Sequence, residues 1–337
     1  MAIALRRTES GRRQAGDSEA PRLAVKTIPL TQRESWHDLL QRAFTTSAGS
    51  LYARQNFFHD YVTYDPCFTR TCLLGLYRNE RLISTCQVFR RTMMIGPRKF
   101  YLQGLGNIAT DPEFQGQGFG SGLLRWFIEH PARRRDLSIL YTGAQGFYAR
   151  LGWKPEIARS LCVERPSSWR PAGPPVRLRS MKPRDRAAVA GIYAAFNRPH
   201  EIPHIVRSDQ YWDDWILGWK LKIYGLTAEI IVDREGMAIG YVFHSLRGDR
   251  MTVEEYGAAP GMMDRVVQAI LWKFLRRKRA NRLVFLCATP PLEQALSAAK
   301  IPFEPFCTGH ASGRIYLFNQ SLQPWLEKVC LWHVDHF

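Results

Sequence analysis

The stretch Asn107-Ile108-Ala109-Thr110-Asp111-Pro112-Glu113-Phe114-Gln115-Gly116-Gln117-Gly118-Phe119-Gly120, followed by Ser121-Gly122-Leu123-Leu124, constrains this chain more than any other. It reads as a strand end, a glycine-rich turn and the first turn of a helix. In that order, the turn amides and the unpaired N–H groups of the first helical turn converge on one spot, at the positive end of the helix dipole. Such a spot binds phosphate. Glycine serves where the backbone must approach the anion closely or take φ > 0. The same glycines also suit a plain helix N-terminus, so the rest of the chain must decide.

A length of 337 residues favours two domains over one. Leu23 to Ile28 reads as a strand, and Gln32 to Phe44 as a helix with a stripe of Trp36, Leu39, Leu40 and Phe44. Leu51 to Val62 is a second amphipathic stretch. Cys72 to Tyr77 and Leu82 to Ile95 form a hairpin across Arg78-Asn79-Glu80-Arg81, and Lys99 to Thr110 leads into the glycine turn. A helix from Gly118 to Glu129 follows, then a short buried strand from Leu137 to Tyr141. The turn Thr142-Gly143-Ala144, a short helix closed by Gly152, and a strand from Ser160 to Glu164 complete the unit. Pro166 to Pro175 has the composition of a linker.

The same order then recurs, from a strand at Val176 to Arg179 through a tryptophan-rich helix ending near Lys220 to a last strand at Arg314 to Phe318. This reads as an internal duplication of one α+β unit. The expected organisation is a disordered basic leader (1–21), a first domain (22–165), a linker (166–175), a second domain (176–320) and a C-terminal tail (321–337). The second copy's turn, Gly257-Ala258-Ala259-Pro260-Gly261-Met262, has lost the glycine spacing, and its proline removes a donor N–H. One phosphate-binding turn is therefore expected, in the first half only.

Bulk features narrow the class. No run of ~18 apolar residues exists, so no membrane span is expected. The N-terminal residues lack the apolar core of a secretory signal. The seven cysteines form no C-x-x-C pair. They read as buried thiols in a reducing, cytoplasmic compartment, and no metal site is expected. The formal net charge of +17 attracts anions. The clusters Arg133-Arg134-Arg135 and Arg276-Arg277-Lys278-Arg279 carry no interleaved aromatic platforms, which disfavours a nucleic-acid partner.

Gln115-Gly116-Gln117-Gly118-Phe119-Gly120 resembles the cofactor motif Q/R-x-x-G-x-G/A of the GNAT superfamily of N-acetyltransferases. Gly146 to Trp153 resembles the superfamily's F-Y-x-x-x-G-F segment, with Trp153 in place of the final Phe. The tandem layout is similar to the enhanced-intracellular-survival (Eis-like) acetyltransferases, without their sterol-carrier-like third domain. The resemblance implies an α+β chain of two tandem GNAT (acyl-CoA N-acyltransferase) domains, each a mixed, mostly antiparallel sheet flanked by helices.

It further implies acetyl-CoA as acyl donor and direct attack by a primary amine in a ternary complex. Gln115 opens the motif. The turn amides of Gly116, Gln117, Gly118, Phe119 and Gly120, with Ser121, would hold the pyrophosphate. The strand edge at Ile108, Ala109 and Thr110 would pair with pantetheine, and Gly143 and Ala144 would lie beside the sulfur. Tyr148 would protonate the departing thiolate, with Phe147 the core member of that pair. The strand before the glycine turn offers no carboxylate or histidine as base. The relatives imply a terminal carboxylate instead, here that of Phe337, with Asp335, His336 or a pocket carboxylate as rivals; Asp60, Asp65, Glu254 and Glu255 could line an acceptor pocket. A non-catalytic acyl-CoA-binding or nucleic-acid-associated protein on the same scaffold is the competing reading. The amine acceptor and a homo-oligomeric state stay open.

Overall fold

A computed structural model describes residues 22–44, 56–130, 135–156, 160–165, 176–199, 201–306, 312–328 and 331–336. The first half contains β1 (Leu23–Thr27), α1 (Arg33–Phe44), α2 (Phe57–Thr63), β2 (Leu73–Arg78), β3 (Arg81–Ile95), β4 (Arg98–Thr110), α3 (Phe119–Glu129), β5 (Leu137–Thr142), α4 (Gln145–Ala149), β6 (Lys154–Pro155) and β7 (Ser160–Glu164). The second contains β8 (Arg177–Ser180), α5 (Arg186–Asn197), β9 (His204–Ile205), a π-helix (Tyr211–Lys220) running into α6 (Leu221–Ile223), β10 (Thr227–Val232), β11 (Ala238–Arg247) and β12 (Arg250–Ala258). It ends with α7 (Met263–Arg276), β13 (Arg282–Phe285), α8 (Pro290–Ala298), β14 (Glu304–Phe306) and β15 (Ser312–Leu317). No described helix is long and apolar enough to cross a membrane, and no disulfide joins the described cysteines.

Two mixed sheets result, and they exchange strands. The first runs β1-β2-β3-β4-β5-β15-β6, with β9 on the overhang of β3. The second runs β14-β7-β13-β12-β11-β10-β8. The sequence reading groups Ser160 to Glu164 with the first unit and Arg314 to Phe318 with the second. Instead, β7 pairs antiparallel with β13, and β15 pairs antiparallel with β5 over the length of both. The residue after β7 shows what holds the exchange. Arg165 donates to the carbonyls of Ala280 (2.7 Å), Leu275 (3.0 Å), Phe274 (3.1 Å) and Arg277 (2.7 Å). A cation there adds a donor to carbonyls at and just beyond the C-terminal end of α7, of which those of Phe274 and Arg277 also accept a backbone amide, and complements the helix dipole.

The larger core is continuous between the sheets. Trp36, Phe58, Tyr61 and Phe89 of the first half meet Tyr211, Trp215 and Trp219 of the second. A smaller core, with Leu105, Leu123, Leu124, Phe127, Leu140 and Tyr148, lies between the first sheet and α3–α4. The tryptophan-rich helix is a π-helix rather than the ordinary helix its periodicity suggests. A Cβ at Gly218 would sit 2.7 Å from the Asp213 carbonyl oxygen, five residues back, and the Leu221 amide bonds to Ile216, again five back. Glycine admits that close approach.

Because each half completes the other's sheet, neither is expected to fold alone. A fragment ending at Arg165 would leave β5 without β15 and β7 without β13. It should lack a cooperative thermal transition by circular dichroism, whereas the full chain melts in one step. A fragment that melts cooperatively would contradict the exchange.

Candidate active site

Strands β4 and β5 run parallel and pair only at Leu102–Leu137, Gln103–Ser138 and Gly104–Ile139. Beyond Gly104 they part. Each is held on its outer edge to its end: β4 by β3 out to Thr110, and β5 by β15 out to Thr142. The gap therefore opens only between their inner edges, where the backbone groups of residues 105–110 face no strand among those described. Such an edge accepts an extended ligand through main-chain hydrogen bonds.

A bulge shapes this edge. Thr85 pairs with Ala109 and Gln87 with Gly106, so β4 carries one extra residue, with Asn107 at φ 48°. Asparagine tolerates that left-handed conformation, and its Nδ2 donates to Gln87 Oε1 (2.7 Å). Ser84 Oγ donates to the Ala109 carbonyl (2.8 Å) and lies 3.0 Å from Thr110 Oγ1. Ala109 is buried, while Ile108 and Thr110 are half-buried.

The glycine turn is built from its flanks. Asp111, buried at the strand end, accepts from the Glu113 amide, Arg42 Nη2 (3.0 Å) and Arg81 Nη2 (3.1 Å). Burial pushes its carboxyl up, but these three donors offset it and hold the group below its ordinary range. Gln115 Nε2 donates back to the Thr110 carbonyl (3.1 Å). Gly116 (φ 75°) and Gly118 (φ 83°) are exposed and left-handed, with open space where a Cβ would stand. Gly118 is the N-cap of α3 and supplies no side-chain acceptor to its first amides. These amides, with Gln117, Phe119, Gly120 and Ser121, suit an anion. A Cβ at Gly120 would meet Thr110 Oγ1 at 3.0 Å and the Phe147 ring at 3.9 Å, so α3 packs closely on the strand end and on α4.

Gly143 and Ala144 are exposed at the end of β5, level with the end of β4. Tyr148 follows on α4. Phe147, the expected core member of the pair, is half-buried, whereas Tyr148 is 8% exposed, packed into the smaller core. Burial, with Cys86 nearby, drives the Tyr148 hydroxyl well above its ordinary pKa against a hydrogen bond with Thr142. It stays protonated near neutral pH, as a proton donor must.

The rival bases and the candidate pocket carboxylates are dispersed. Arg207 Nη1 and Nη2 grip Glu255 (2.8 and 2.6 Å), and its Nε and Nη2 grip Asp335 (3.1 and 2.7 Å), with all three side chains inaccessible. Tyr211 donates to Asp335 (3.0 Å) and Tyr241 to Glu255 (2.7 Å). Asp65 is paired with Arg91 (2.9 Å) in the core, and Glu254 with His333 (2.5 Å). Asp60 keeps partial exposure, and burial raises its pKa against a hydrogen bond from Trp219. His336 stacks on Tyr141 of β5 (3.5 Å, 15°), and its carbonyl accepts from Lys220 Nζ (2.6 Å). Burial, His333 and Lys220 push its pKa well down, so the imidazole is neutral. Phe337 lies outside the described residues. Arg207 and Lys220 stand among ordinary-looking neighbours in sequence, and no local signal marks them.

Among the described residues, the corresponding gap of the second sheet is bridged. Strands β12 and β13 pair in parallel from Arg250 to Val253. Beyond that, Tyr256 donates to the Cys287 carbonyl (3.0 Å), lies 2.8 Å from Thr289 Oγ1, and is covered by the Trp332 ring. A cavity of about 490 Å³ lined by Arg125, Glu129, Arg150 and Tyr316 lies at the C-terminal end of α3, remote from the glycine turn.

This arrangement of parted parallel strands, bulge, glycine turn and helix is the GNAT acyl-CoA N-acyltransferase fold, in two mixed sheets flanked by helices. Residues 24–155 match the family model of an acetyltransferase (GNAT) domain. A GCN5-related N-acetyltransferase from Kribbella flavida superposes with a TM-score of 0.65 at 17% identity, covering 88% of this chain and 71% of that one. Eis1 from Mycobacterium abscessus superposes at 0.56 and 12% identity, covering 88% and 73%. N-myristoyltransferase from Saccharomyces cerevisiae, with bound myristoyl-CoA, does so at 0.54 and 11%, covering 90% and 85%. No curated protein sequence matches the chain.

Lys220 generates a test. Its amine is fully buried among the rings of Tyr61, Trp215, Trp219 and Tyr224. Burial, with Arg91 nearby, lowers its pKa from 10.5 to about 7. The folded state thus binds fewer protons than the unfolded state between these values. The resulting cost is absent above pH ~10.5, grows as pH falls, and is complete below ~7. The Tm of Lys220→Met minus that of wild type should therefore rise as pH falls from 10 to 6, on top of a pH-independent loss of the bond to the His336 carbonyl. A gap independent of pH would contradict a depressed Lys220.

Proposed function

We propose that the protein is an N-acetyltransferase moving an acetyl group from acetyl-CoA to a primary amine, with the unit of the first sheet, completed by β15, as the catalytic one and the unit of the second sheet, completed by β7, as a degenerate copy. The observation that carries this reading is the convergence, at one end of the first sheet, of the β4–β5 gap, the open glycine turn and the protonated Tyr148. Pantetheine would add to the β4 edge at Ile108, Ala109 and Thr110, and its pyrophosphate would sit on the amides from Gly116 to Ser121. A backbone N–H of that edge would polarise the thioester carbonyl. The amine, once deprotonated, attacks this carbonyl carbon. The tetrahedral adduct collapses with cleavage of the C–S bond, Tyr148 gives its proton to the leaving thiolate, and the second proton lost from the nitrogen, which yields the neutral amide, restores the phenol. The C-terminal tail is the proposed source of the base that takes the amine's proton. Its support is His336, bonded to Phe337, stacked on Tyr141 beside Gly143 and Ala144. The GCN5-related N-acetyltransferase from Kribbella flavida supports the reaction class, and the myristoyl-CoA complex supports the thioester donor.

The decisive assay is free-CoA release over aminoglycosides, polyamines, amino acids and lysine peptides. Turnover with at least one amine is expected. Tight acetyl-CoA binding without turnover on any of them would favour the non-catalytic reading. Tyr148→Phe should lower kcat by about 10²–10⁴-fold while leaving acetyl-CoA affinity near wild type. An unchanged kcat would remove Tyr148 from the mechanism.

Gly118→Val tests the turn separately. A β-branched residue at φ 83° forces the turn out of its left-handed conformation, at a strain of about 1–2 kcal/mol. Acetyl-CoA affinity should fall at least tenfold by calorimetry with the fold retained. Wild-type affinity would place the pyrophosphate elsewhere.

A further inference from the structure

Ligand spacing along the sequence suggests no metal site, yet the fold gathers three metal-ligating side chains from two helices. Glu34 and His37 are three residues apart on α1, which puts them on one face. His59 comes from α2. The ligand atoms of all three lie within 4.8 Å of one another. Among the described residues, no other group of three His, Cys, Asp or Glu side chains meets that condition. The His37 and His59 rings stack at 4.1 Å with their planes 22° apart, and His59 Nε2 lies 3.9 Å from Glu34 Oε1.

The chemistry of the set is that of a zinc-type ion. Two imidazoles and one carboxylate make a recurrent three-ligand set, with the remaining position open to water. Ligands at ~2.0–2.1 Å in a tetrahedron stand about 3.4 Å apart, so the three atoms must close up, and the near-parallel imidazoles must turn out of their stack for both ring nitrogens to aim at one ion. The Glu34 side chain is 82% exposed and free to follow them. Both histidines are half-buried, and His37 packs edge-on against Phe58, so their turn is the larger rearrangement that ion binding requires. The neighbouring cation is directed to other acceptors, since Arg33 Nη2 donates to the His59 carbonyl (3.0 Å) and Thr63 Oγ1 (3.2 Å). Gln41 reaches His37 Nε2 only at 3.5 Å, a weak contact that an ion would displace.

We propose that Glu34, His37 and His59 form a divalent transition-metal site that clips α1 to α2. The clip bears on the rest of the molecule through α1, whose Arg42 holds Asp111 at the start of the glycine turn. It does not depend on the acyl-transfer reading.

Co²⁺ titration of the chelator-treated full chain tests it, because Co²⁺ in such a site absorbs in the visible through ligand-field bands that Zn²⁺ abolishes. One equivalent should bind with these bands, and Zn²⁺ should raise Tm. In His37→Ala and His59→Ala the affinity should fall by more than about 100-fold, a loss that outer-sphere partners of metal ligands already approach. Both variants should match wild type in chelator by circular dichroism, since neither histidine lies in the core. Absence of ligand-field bands in the wild type, or their persistence in the double variant, would overturn the site.

Discussion

The parting of β4 from β5 after Gly104 is the constraint on which the rest of the structure depends. A parallel pair separates without unravelling only if each strand is secured elsewhere. Here β3 secures β4, and β15 secures β5. The second of these strands comes from the far end of the chain. The cleft is thus a product of the whole molecule, although every residue that would touch its ligand belongs to the first half. Arg314 of β15 reinforces the arrangement by donating to Gln145 Oε1 at the start of α4. The strand exchange, the cleft and the position of Tyr148 are consequences of one pairing scheme.

A second element of order is the buried cluster of Arg207, Glu255 and Asp335. Buried ion pairs add little net stability, because desolvation offsets their attraction. They are nonetheless specific about geometry, and breaking one strands a charge in the core. Asp335 therefore has one place to go, and with it the segment Leu331 to His336. The Trp332 indole donates to Asn197 (3.1 Å), and the Lys220 amine holds the His336 carbonyl. The result is a C-terminal segment threaded between the two halves, with His336 against β5. Lys220 carries an energetic cost to do this, which is the pattern of a residue kept for position rather than stability.

Much of this was legible in sequence. Gly116, Gly118 and Gly152 mark left-handed backbone wherever they were expected to, and the order of strands and helices follows the apolar periodicity. The illegible parts are non-local. Nothing in Ser160 to Glu164 states which sheet edge it joins; the answer lies in Arg165 and the carbonyls of α7, more than a hundred residues away. The width of the π-helix depends on Gly218 meeting Asp213 in three dimensions. Phe147 and Tyr148 are adjacent aromatics whose depths are set by α3 and β3 rather than by their own neighbours. Asp335 reads in sequence as a rival base because its partner, Arg207, stands in an unremarkable loop. Glu34 and His37 carried no signal without His59.

The central claim, that the gap beside β4 and the glycine turn together take an acyl-CoA, is tested most directly by amide hydrogen exchange with and without acetyl-CoA. Strong new protection is expected in peptides covering residues 105–110 and 116–122, with residues 254–262 of the second copy unchanged. Protection absent from the first two segments, or equally strong in the third, would contradict the account.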